Sequence, residues 1–140
     1  MTVQGGCLCG AVRYEISGPL GDAGSCYCSM CRRAHGAAFG TYAKLNENDF
    51  KWLSGEEMVA KFESSPNGFR CFCRTCGSPL GAGADGDKLG WVTLGTIEGD
   101  PGVRPQAHIF VGSKAPWYEI TDGLPQFEEW PPGQKPGQSD

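Results

Sequence analysis

Short runs in which hydrophobic and polar residues alternate recur along this chain of 140 residues. A period of two is typical of a β-strand that buries one of its faces. The run Val12-Arg13-Tyr14-Glu15-Ile16 shows this pattern. Together, the runs predict six strands, at residues 11–16, 37–45, 58–63, 69–72, 90–97 and 107–112.

Helical patterning is confined to two short segments. Residues 29–35 predict one helical turn, and residues 46–49 predict another. No alternation of strands and helices is visible, so the strands are expected to pair antiparallel. Twenty-two glycines and ten prolines supply the turns between them. The predicted fold class is mainly β, with antiparallel sheets and few short helical turns.

The ends and the charge of the chain limit the classes of protein it could belong to. We predict one domain over residues 1–130 and a flexible tail over residues 131–140, because PPGQKPGQSD offers nothing to bury. The N-terminal segment has no basic start or apolar run typical of a signal peptide, and no stretch approaches a membrane span. We therefore expect a cytoplasmic protein without a membrane partner. The net charge of −4 and the scattered basic residues argue against nucleic-acid binding.

Eight cysteines carry the strongest chemical signal. In a reducing compartment, thiols stay free or bind metal and do not form a disulfide framework. The cysteines fall into three groups: Cys7-x-Cys9, Cys26-x-Cys28-x-x-Cys31 and Cys71-x-Cys73-x-x-Cys76.

The spacing of two of these groups predicts a closed metal site. Four thiolates around one zinc ion stand ~3.8 Å apart, and a turn that holds Cys-x-x-Cys can aim two sulfurs at one point. Cys-x-Cys in an extended chain also directs two sulfurs to one side. Cys7 and Cys9 together with Cys73 and Cys76 therefore predict a structural zinc site that is complete without further ligands.

The middle group differs because it supplies three thiols within six residues. Cys26, Cys28 and Cys31 would leave a tetrahedral ion one further position, as in zinc sites that bind substrate. Alternatively, Cys71 or His35 closes this site, or the cysteines divide differently between two ions. Zinc with three thiolates suits a further thiolate. We hypothesise that this site presents a thiol co-substrate as a nucleophile.

Three neighbours of Cys31 are further candidates. Arg32 and Arg33 could offset the negative charge of the site or bind a carboxylate of the thiol, or they could belong to a solvated turn. His35 could ligate zinc, shuttle a proton or cap the turn. Tyr42 is a weaker pocket candidate, and His108 is expected to satisfy a buried polar contact.

Several motifs resemble the glutathione-dependent formaldehyde-activating enzyme family, which includes centromere protein V. The early motifs are Gly6-Cys-Leu-Cys-Gly-Ala-Val12, Cys26-Tyr-Cys-Ser-Met-Cys-Arg-Arg33, Gly36-Ala-Ala-Phe39 and Phe72-Cys-Arg-Thr-Cys-Gly-Ser-Pro-Leu80. The later ones are His108-Ile-Phe, Ser113-Lys, Trp117 and Asp122-Gly-Leu-Pro-Gln-Phe127. The resemblance covers roughly residues 3–128.

This resemblance implies an Mss4-like fold with two zinc ions, one structural and one catalytic. The implied structural ligands are Cys7, Cys9, Cys73 and Cys76, and the implied catalytic ligands are Cys26, Cys28 and Cys31. The implied activity joins formaldehyde to glutathione to give S-hydroxymethylglutathione, so that the enzyme is a carbon–sulfur lyase acting in reverse.

The chain departs from the family pattern at two positions. Tyr27 stands where the family often has histidine, and Cys71 is an additional thiol. Cys71 could be a small hydrophobic residue, a spare ligand or a redox-sensitive thiol.

The leading hypothesis is a zinc-dependent lyase that joins glutathione, or another small thiol, to formaldehyde or a related small electrophile. One alternative is a non-enzymatic zinc module that binds a protein partner. Another is a thiol reductase that uses Cys71.

Overall fold

The computed structural model of the protein describes residues 2–84 and 88–133, which form two β-sheets around a hydrophobic core. The strands of these ranges are β1 (Val3–Gly6), β2 (Arg13–Ile16), β3 (Ala23–Cys26), β4 (Gly40–Lys44), β5 (Phe50–Ser54), β6 (Val59–Ser65), β7 (Gly68–Cys73), β8 (Pro79–Ala84), β9 (Trp91–Thr93) and β10 (His108–Ile109).

The α-helix of the described residues, α1 (Ser29–His35), follows β3 directly. Cys28 caps its N-terminus by accepting a hydrogen bond from the backbone N–H of Cys31, and Gly36 ends it in the left-handed conformation at φ +60°. Short 3₁₀ turns lie at Glu47–Asp49, Glu56–Met58, Leu94–Thr96 and Val111–Ser113. Both predicted helical segments are therefore confirmed.

The smaller sheet has the strand order β1-β2-β5, with antiparallel pairing throughout. Its central strand, β2, buries Tyr14 and Ile16, while Arg13 and Glu15 face outward and remain half-buried. The alternation in the sequence therefore identified both the strand and its buried face.

The larger sheet has seven strands in the order β10-β3-β4-β9-β8-β7-β6. Its pairs are antiparallel except that β10 runs parallel to β3, with Ile109 opposite Cys26. The chain returns to this edge through residues 98–107, which form no regular strand. The parallel pair places the segment after β10 beside the middle cysteine group.

The main core contains buried side chains from both sheets. Tyr14, Ile16, Leu80 and Val92 are its large members, and Cys71 and Cys73 belong to the same cluster. Full burial of one large apolar side chain contributes roughly 1.5–3 kcal/mol. A second, smaller cluster contains Cys26, Cys28, Cys31 and Tyr42, with Trp91, Ile109 and Phe110 packed against it.

Each of the six predicted strands coincides with an observed strand, although the ends differ. The segment at 90–97 stops early because Leu94–Thr96 turns into a 3₁₀ helix, and the segment at 107–112 keeps two strand residues for a similar reason. Four strands were not predicted: β1, β3, β5 and β8. Three of them are rich in glycine and alanine, which carry little of the hydrophobic alternation that marks a strand.

Two predictions about the whole chain concern its ends and its relation to membranes. Within residues 2–84 and 88–133, no helix has the length and apolar character needed to cross a membrane. Of the predicted flexible tail, residues 134–140 lie outside the described residues. The boundary near residue 130 stays a prediction.

Candidate metal centre

All eight cysteines are free thiols, and seven of them form two clusters. Within each cluster, the sulfur atoms all lie within 4.8 Å of one another. A disulfide framework is therefore not the arrangement of this fold. The four-thiol cluster consists of Cys7, Cys9, Cys73 and Cys76, and the three-thiol cluster consists of Cys26, Cys28 and Cys31.

The four-thiol cluster joins the turn after β1 to the end of β7. Cys7 Sγ lies 3.5 Å from Cys9 Sγ, and Cys9 Sγ lies 3.8 Å from Cys73 Sγ. These separations match the ~3.8 Å expected between thiolates of a tetrahedral zinc site, and they greatly exceed the ~2.0 Å of a disulfide bond. The grouping that the spacing predicted is confirmed, and its donors fit a metal ion.

A tight turn sets the second half of this cluster. Gly77 adopts φ +80°, and its N–H donates to the Cys73 carbonyl over 2.8 Å, so the chain folds back between two ligands. Ser78 Oγ lies 3.3 Å from Cys76 Sγ. Hydrogen bonds from Ser78 lower the pKa of the Cys76 thiol to about 5, and a thiolate is the form that binds metal.

The three-thiol cluster lies at the corner between β3 and α1. Cys26 ends the strand, Cys28 caps the helix and Cys31 lies in its first turn. All three are buried, whereas Cys9 of the other cluster is exposed. Hydrogen bonds with Cys26 and Cys31 lower the pKa of the Cys28 thiol to about 2. Cys28 is therefore favoured as a thiolate, the form that binds a metal ion.

The cluster includes neither Cys71 nor His35, the two residues that could have closed it. Cys71 is 1% exposed in the main core, and burial raises the pKa of its thiol to about 12. This position agrees with the interpretation of Cys71 as a small hydrophobic residue. Cys26, Cys28 and Cys31 supply three soft donors, which fit a zinc ion that takes one further ligand.

Three side chains form a hydrogen-bonded network beside Cys31. Tyr42 Oη lies 2.6 Å from His35 Nε2 and accepts a hydrogen bond of 2.9 Å from Arg70 Nη1. Tyr42 Oη and Arg70 Nη2 each lie 3.7 Å from Cys31 Sγ. Burial, followed by the positive charge of Arg70, lowers the pKa of His35. The network therefore brings a permanent positive charge and two polar rings to the cluster.

Gly40 allows the His35 ring to take its place in this network. A Cβ atom at position 40 would come within 2.7 Å of the His35 ring and 3.0 Å of Tyr42. The side chain of any other residue would therefore push the imidazole away from β4.

Arg70 is the functional candidate that the sequence did not identify. The sequence indicated the basic pair beside Cys31, Arg32 and Arg33, as candidates instead. In the structure, Arg33 is exposed on α1 and Arg32 is half-buried. Arg70 lies 39 residues after Cys31 and approaches it because β7 belongs to the same sheet as β3 and β4. No local motif marks such a long-range contact.

One cavity borders the three-thiol cluster, and a second is lined by Tyr42 and Arg70, which contact Cys31. The first cavity has a volume of about 480 Å³, with Cys26, Tyr42, Trp91, Phe127 and Trp130 among its lining residues. Pro131–Gly133, from the start of the predicted tail, also line it. The second cavity has a volume of about 360 Å³, and His35, Tyr42, Arg70, Cys71 and Thr93 are among its lining residues. Tyr42 lines both cavities.

Tyr27, where the family often has histidine, faces a separate polar network. Its side chain is fully buried, and its hydroxyl lies 2.9 Å from His108 Nδ1. His108 Nε2 lies 2.8 Å from an Asp122 carboxylate oxygen. The predicted buried polar contact of His108 is confirmed. The network also ties the segment around Asp122 to the corner that carries Cys26 and Cys28.

Comparisons with known proteins agree with this arrangement. A family model described as "Glutathione-dependent formaldehyde-activating enzyme" matches residues 2–113. A Halomonas elongata protein named "Putative glutathione-dependent formaldehyde-activating enzyme" is 27% identical over 128 residues, which cover 86% of this chain and 82% of that protein. A Schizosaccharomyces pombe protein named as an uncharacterized lyase is 23% identical over 125 residues, which cover 89% of each chain.

One solved structure shares the fold. The crystal structure of a Rhodobacter sphaeroides protein has a TM-score of 0.54 and 29% sequence identity. The match covers 69% of this chain and 89% of that one.

Proposed function

Because the chain belongs to the glutathione-dependent formaldehyde-activating enzyme family, we propose that it is a zinc-dependent carbon–sulfur lyase. The reaction joins glutathione, or another small thiol, to formaldehyde or a related small electrophile. The observation that carries this proposal is the convergence of three buried thiols beside a cavity that one of them, Cys26, lines.

The two thiol clusters receive different roles in the proposal. Cys7, Cys9, Cys73 and Cys76 would hold a structural zinc ion with four protein ligands. Cys26, Cys28 and Cys31 would hold the catalytic ion, which when bound supplies a coordination position suited to a further thiolate. A reducing compartment such as the cytoplasm would keep these thiols available for metal.

The residues around the catalytic cluster have identifiable roles. The Arg70 guanidinium, 3.7 Å from Cys31 Sγ, offsets the negative charge that three thiolates and a thiol substrate would accumulate. Trp91, Phe127 and Trp130 give the first cavity aromatic walls, which exclude water from the reacting sulfur. His35 Nε2 would donate to Tyr42 Oη, because the Tyr42 hydroxyl donates towards Cys31 Sγ, and it would pass a proton to the substrate through that hydroxyl. Arg32 and Arg33 would bind a carboxylate of the thiol from the helix.

The lining of the first cavity favours a range of thiols wider than glutathione alone. Asp22 is the one charged side chain among the described residues that line it. A lysine or arginine that could pair with the carboxylates of glutathione is absent from that described lining. The aromatic walls would also accept an apolar thiol, which would lack the carboxylate contact assigned to Arg32 and Arg33.

The test is metal analysis of the purified protein combined with thiol titration of its cobalt-substituted form. We expect two zinc ions per chain. Glutathione should strengthen the cobalt–sulfur absorption of wild-type protein, whereas S-methylglutathione, which lacks a thiol, should not. Catalysis should appear as faster exchange between free formaldehyde and its glutathione adduct by ¹³C NMR. Unchanged cobalt absorption with two ions bound would instead favour a non-enzymatic zinc module.

A further inference from the structure

The second cavity has the composition of a binding site for a small carbonyl compound. Its lining combines the apolar surfaces of Phe62, Phe72 and Pro79 with the polar groups of Tyr42, Arg70 and Thr93. Arg70 is the one permanently charged side chain among the described residues that line it, and aspartate and glutamate are absent from that lining. The cavity therefore favours an oxygen atom that is partly or fully negative.

Two hydrogen-bond donors point from this cavity towards the three-thiol cluster. Tyr42 Oη and Arg70 Nη2 both lie 3.7 Å from Cys31 Sγ, and Arg70 Nη1 donates to Tyr42 Oη over 2.9 Å. The guanidinium thus holds the phenol in position while both groups face the same sulfur. Such fixed donors stabilise charge that develops on an oxygen during a reaction, because they need no reorganisation.

A buried hydroxyl group in the same cavity indicates that a polar ligand belongs there. Thr93 is 7% exposed, and its Oγ1 has no hydrogen-bond partner within the described part of the chain. Buried hydroxyl groups are nearly always satisfied in folded proteins, so an orphan at a cavity wall points to a bound molecule. Thr93 ends β9, next to β4, which carries Tyr42, and the two residues are paired in the sheet.

We propose that the second cavity binds the carbonyl electrophile, with Arg70 and Tyr42 donating hydrogen bonds to its oxygen and Thr93 positioning it. The thiol would reach the cluster through the first cavity, and Tyr42, which lines both cavities, would lie where the two substrates meet. This assignment rests on the proposed function and adds catalytic residues and a separate electrophile site to it.

The bond changes are those of a simple addition. The thiolate sulfur forms a bond to the carbonyl carbon, and the π electron pair of the C=O bond moves to the oxygen. The oxygen, stabilised by Arg70 and Tyr42, then takes the proton that the thiol released. No electrons leave or enter the pair of substrates. Formaldehyde and a thiol therefore give an S-hydroxymethyl product.

Kinetics of zinc-loaded variants provide the first arm of the test. Arg70→Gln and Tyr42→Phe should each lower kcat on the order of 100-fold, the usual effect of losing one such donor. KM for glutathione should rise far less than kcat falls, because Arg70 only offsets the charge of the bound thiol and Tyr42 is one of many residues that line the first cavity. Arg70→Lys should recover part of kcat, since lysine keeps the positive charge but lacks the planar set of donors of the guanidinium group. Arg74→Gln, an exposed arginine on the turn after β7, is the matched control and should behave as wild type.

Binding of formate, an oxyanion of the size of formaldehyde, provides an arm that does not depend on turnover. Titration of the zinc protein should shift the NMR signals of the Arg70 side chain and the Thr93 backbone. The Thr93 shift should disappear in Arg70→Gln, and the Arg70 shift should weaken in Thr93→Val, which keeps the shape of the side chain. The absorption of the cobalt protein should stay unchanged, which shows that formate is not on the metal.

The two arms separate this inference from the proposed function. Formate shifts confined to residues outside the second cavity, or a wild-type kcat in Arg70→Gln, would overturn the electrophile site. Failure of glutathione to change the wild-type cobalt spectrum would instead overturn the thiol-binding role of the three-thiol cluster. The formate titration then still decides whether the second cavity is an oxyanion site.

Discussion

The two thiol clusters of this fold differ in burial and in the groups that surround them. The four-thiol cluster lies near the surface: Cys9 is exposed, and Leu8 between its first two ligands is 87% exposed. The three-thiol cluster is fully buried, but Cys26 lines the first cavity. Tyr42 and Arg70, which contact Cys31, line the second cavity. The number of sulfurs, and not their depth, decides whether a metal ion keeps a position for substrate.

The residues that contact each cluster also differ between the two clusters. Around the four-thiol cluster, the contacts come from a backbone N–H of Val12 and the small side chain of Ser78. Such contacts shape a turn. Around the three-thiol cluster, the contacts come from Tyr42 and Arg70, which can act on a substrate. We therefore expect loss of the first cluster to affect folding and loss of the second to affect chemistry.

The largest expected effect comes from Cys76→Ser, which should unfold the domain. Binding of structural zinc contributes on the order of 10 kcal/mol, which is comparable to the whole net stability of a small domain. Circular dichroism and metal analysis should show lost structure and lost zinc. Arg74→Ala, in the same turn but with every thiol intact, is the control. A folded Cys76→Ser protein with two zinc ions would remove the distinction between the clusters.

Cys28→Ser and Cys28→Ala should both leave a folded protein with one zinc ion and no lyase activity. Because Cys28 caps α1, serine keeps an acceptor for the Cys31 N–H and alanine does not, so alanine should cost about 1 kcal/mol more. Chemical denaturation measures this difference, and metal analysis counts the ions. If Cys28→Ala unfolds as readily as Cys76→Ser, the division of roles is wrong.

Local sequence patterns predicted the two thiol clusters and several of the elements that carry them. Each short cysteine motif brings its own sulfurs together within a few residues, so the spacing predicted the two clusters, although it left open a different division of the cysteines between two ions. The helix at Ser29–His35 was equally predictable, because Cys28 and Gly36 provide its two caps. Strand β2 was evident from its alternation between Arg13 and Ile16.

Long-range contacts were beyond the reach of such patterns. Arg70 approaches Cys31 through the order of four strands, β4-β9-β8-β7, which no local period encodes. Strand β8, with the sequence PLGAGA, carries almost no hydrophobic alternation and is recognisable only by the neighbours it packs against. The parallel pairing of β10 with β3 likewise depends on how a long irregular segment returns to the sheet.

A smaller effect is expected from Cys71→Ala, which tests the thiol outside both clusters. Removing one buried sulfur from the core should lower the free energy of unfolding on the order of 1 kcal/mol. Zinc content should stay at the wild-type level, because Cys71 lies outside both metal clusters. Turnover should fall only slightly, because Cys71 lines the second cavity without being assigned a hydrogen bond to substrate. Iodoacetamide should not modify Cys71 in the native protein, since burial raises its pKa to about 12. Loss of turnover on substitution of Cys71, together with full turnover in Cys28→Ser, would favour a thiol reductase.

The smallest effect concerns pH and the network beside the three-thiol cluster. Burial lowers the pKa of His35 below its ordinary value of 6.5, so the unfolded chain binds a proton more readily than the folded one. Neutral His35 therefore makes its full contribution to the free energy of unfolding above pH 6.5, and this contribution declines as the pH falls below that value.

His35→Gln should remove this dependence while keeping a hydrogen-bonding group next to Tyr42. Protonation of the zinc ligands destabilises both proteins at low pH, so the informative quantity is the difference in unfolding free energy between them. Urea denaturation at about pH 7.5 and about pH 5.5 measures that difference at both ends of the window. The stability of wild type relative to the variant should fall at the lower pH. A constant difference would mean that His35 is as easily protonated in the folded protein as in the unfolded chain, which contradicts its burial against Arg70.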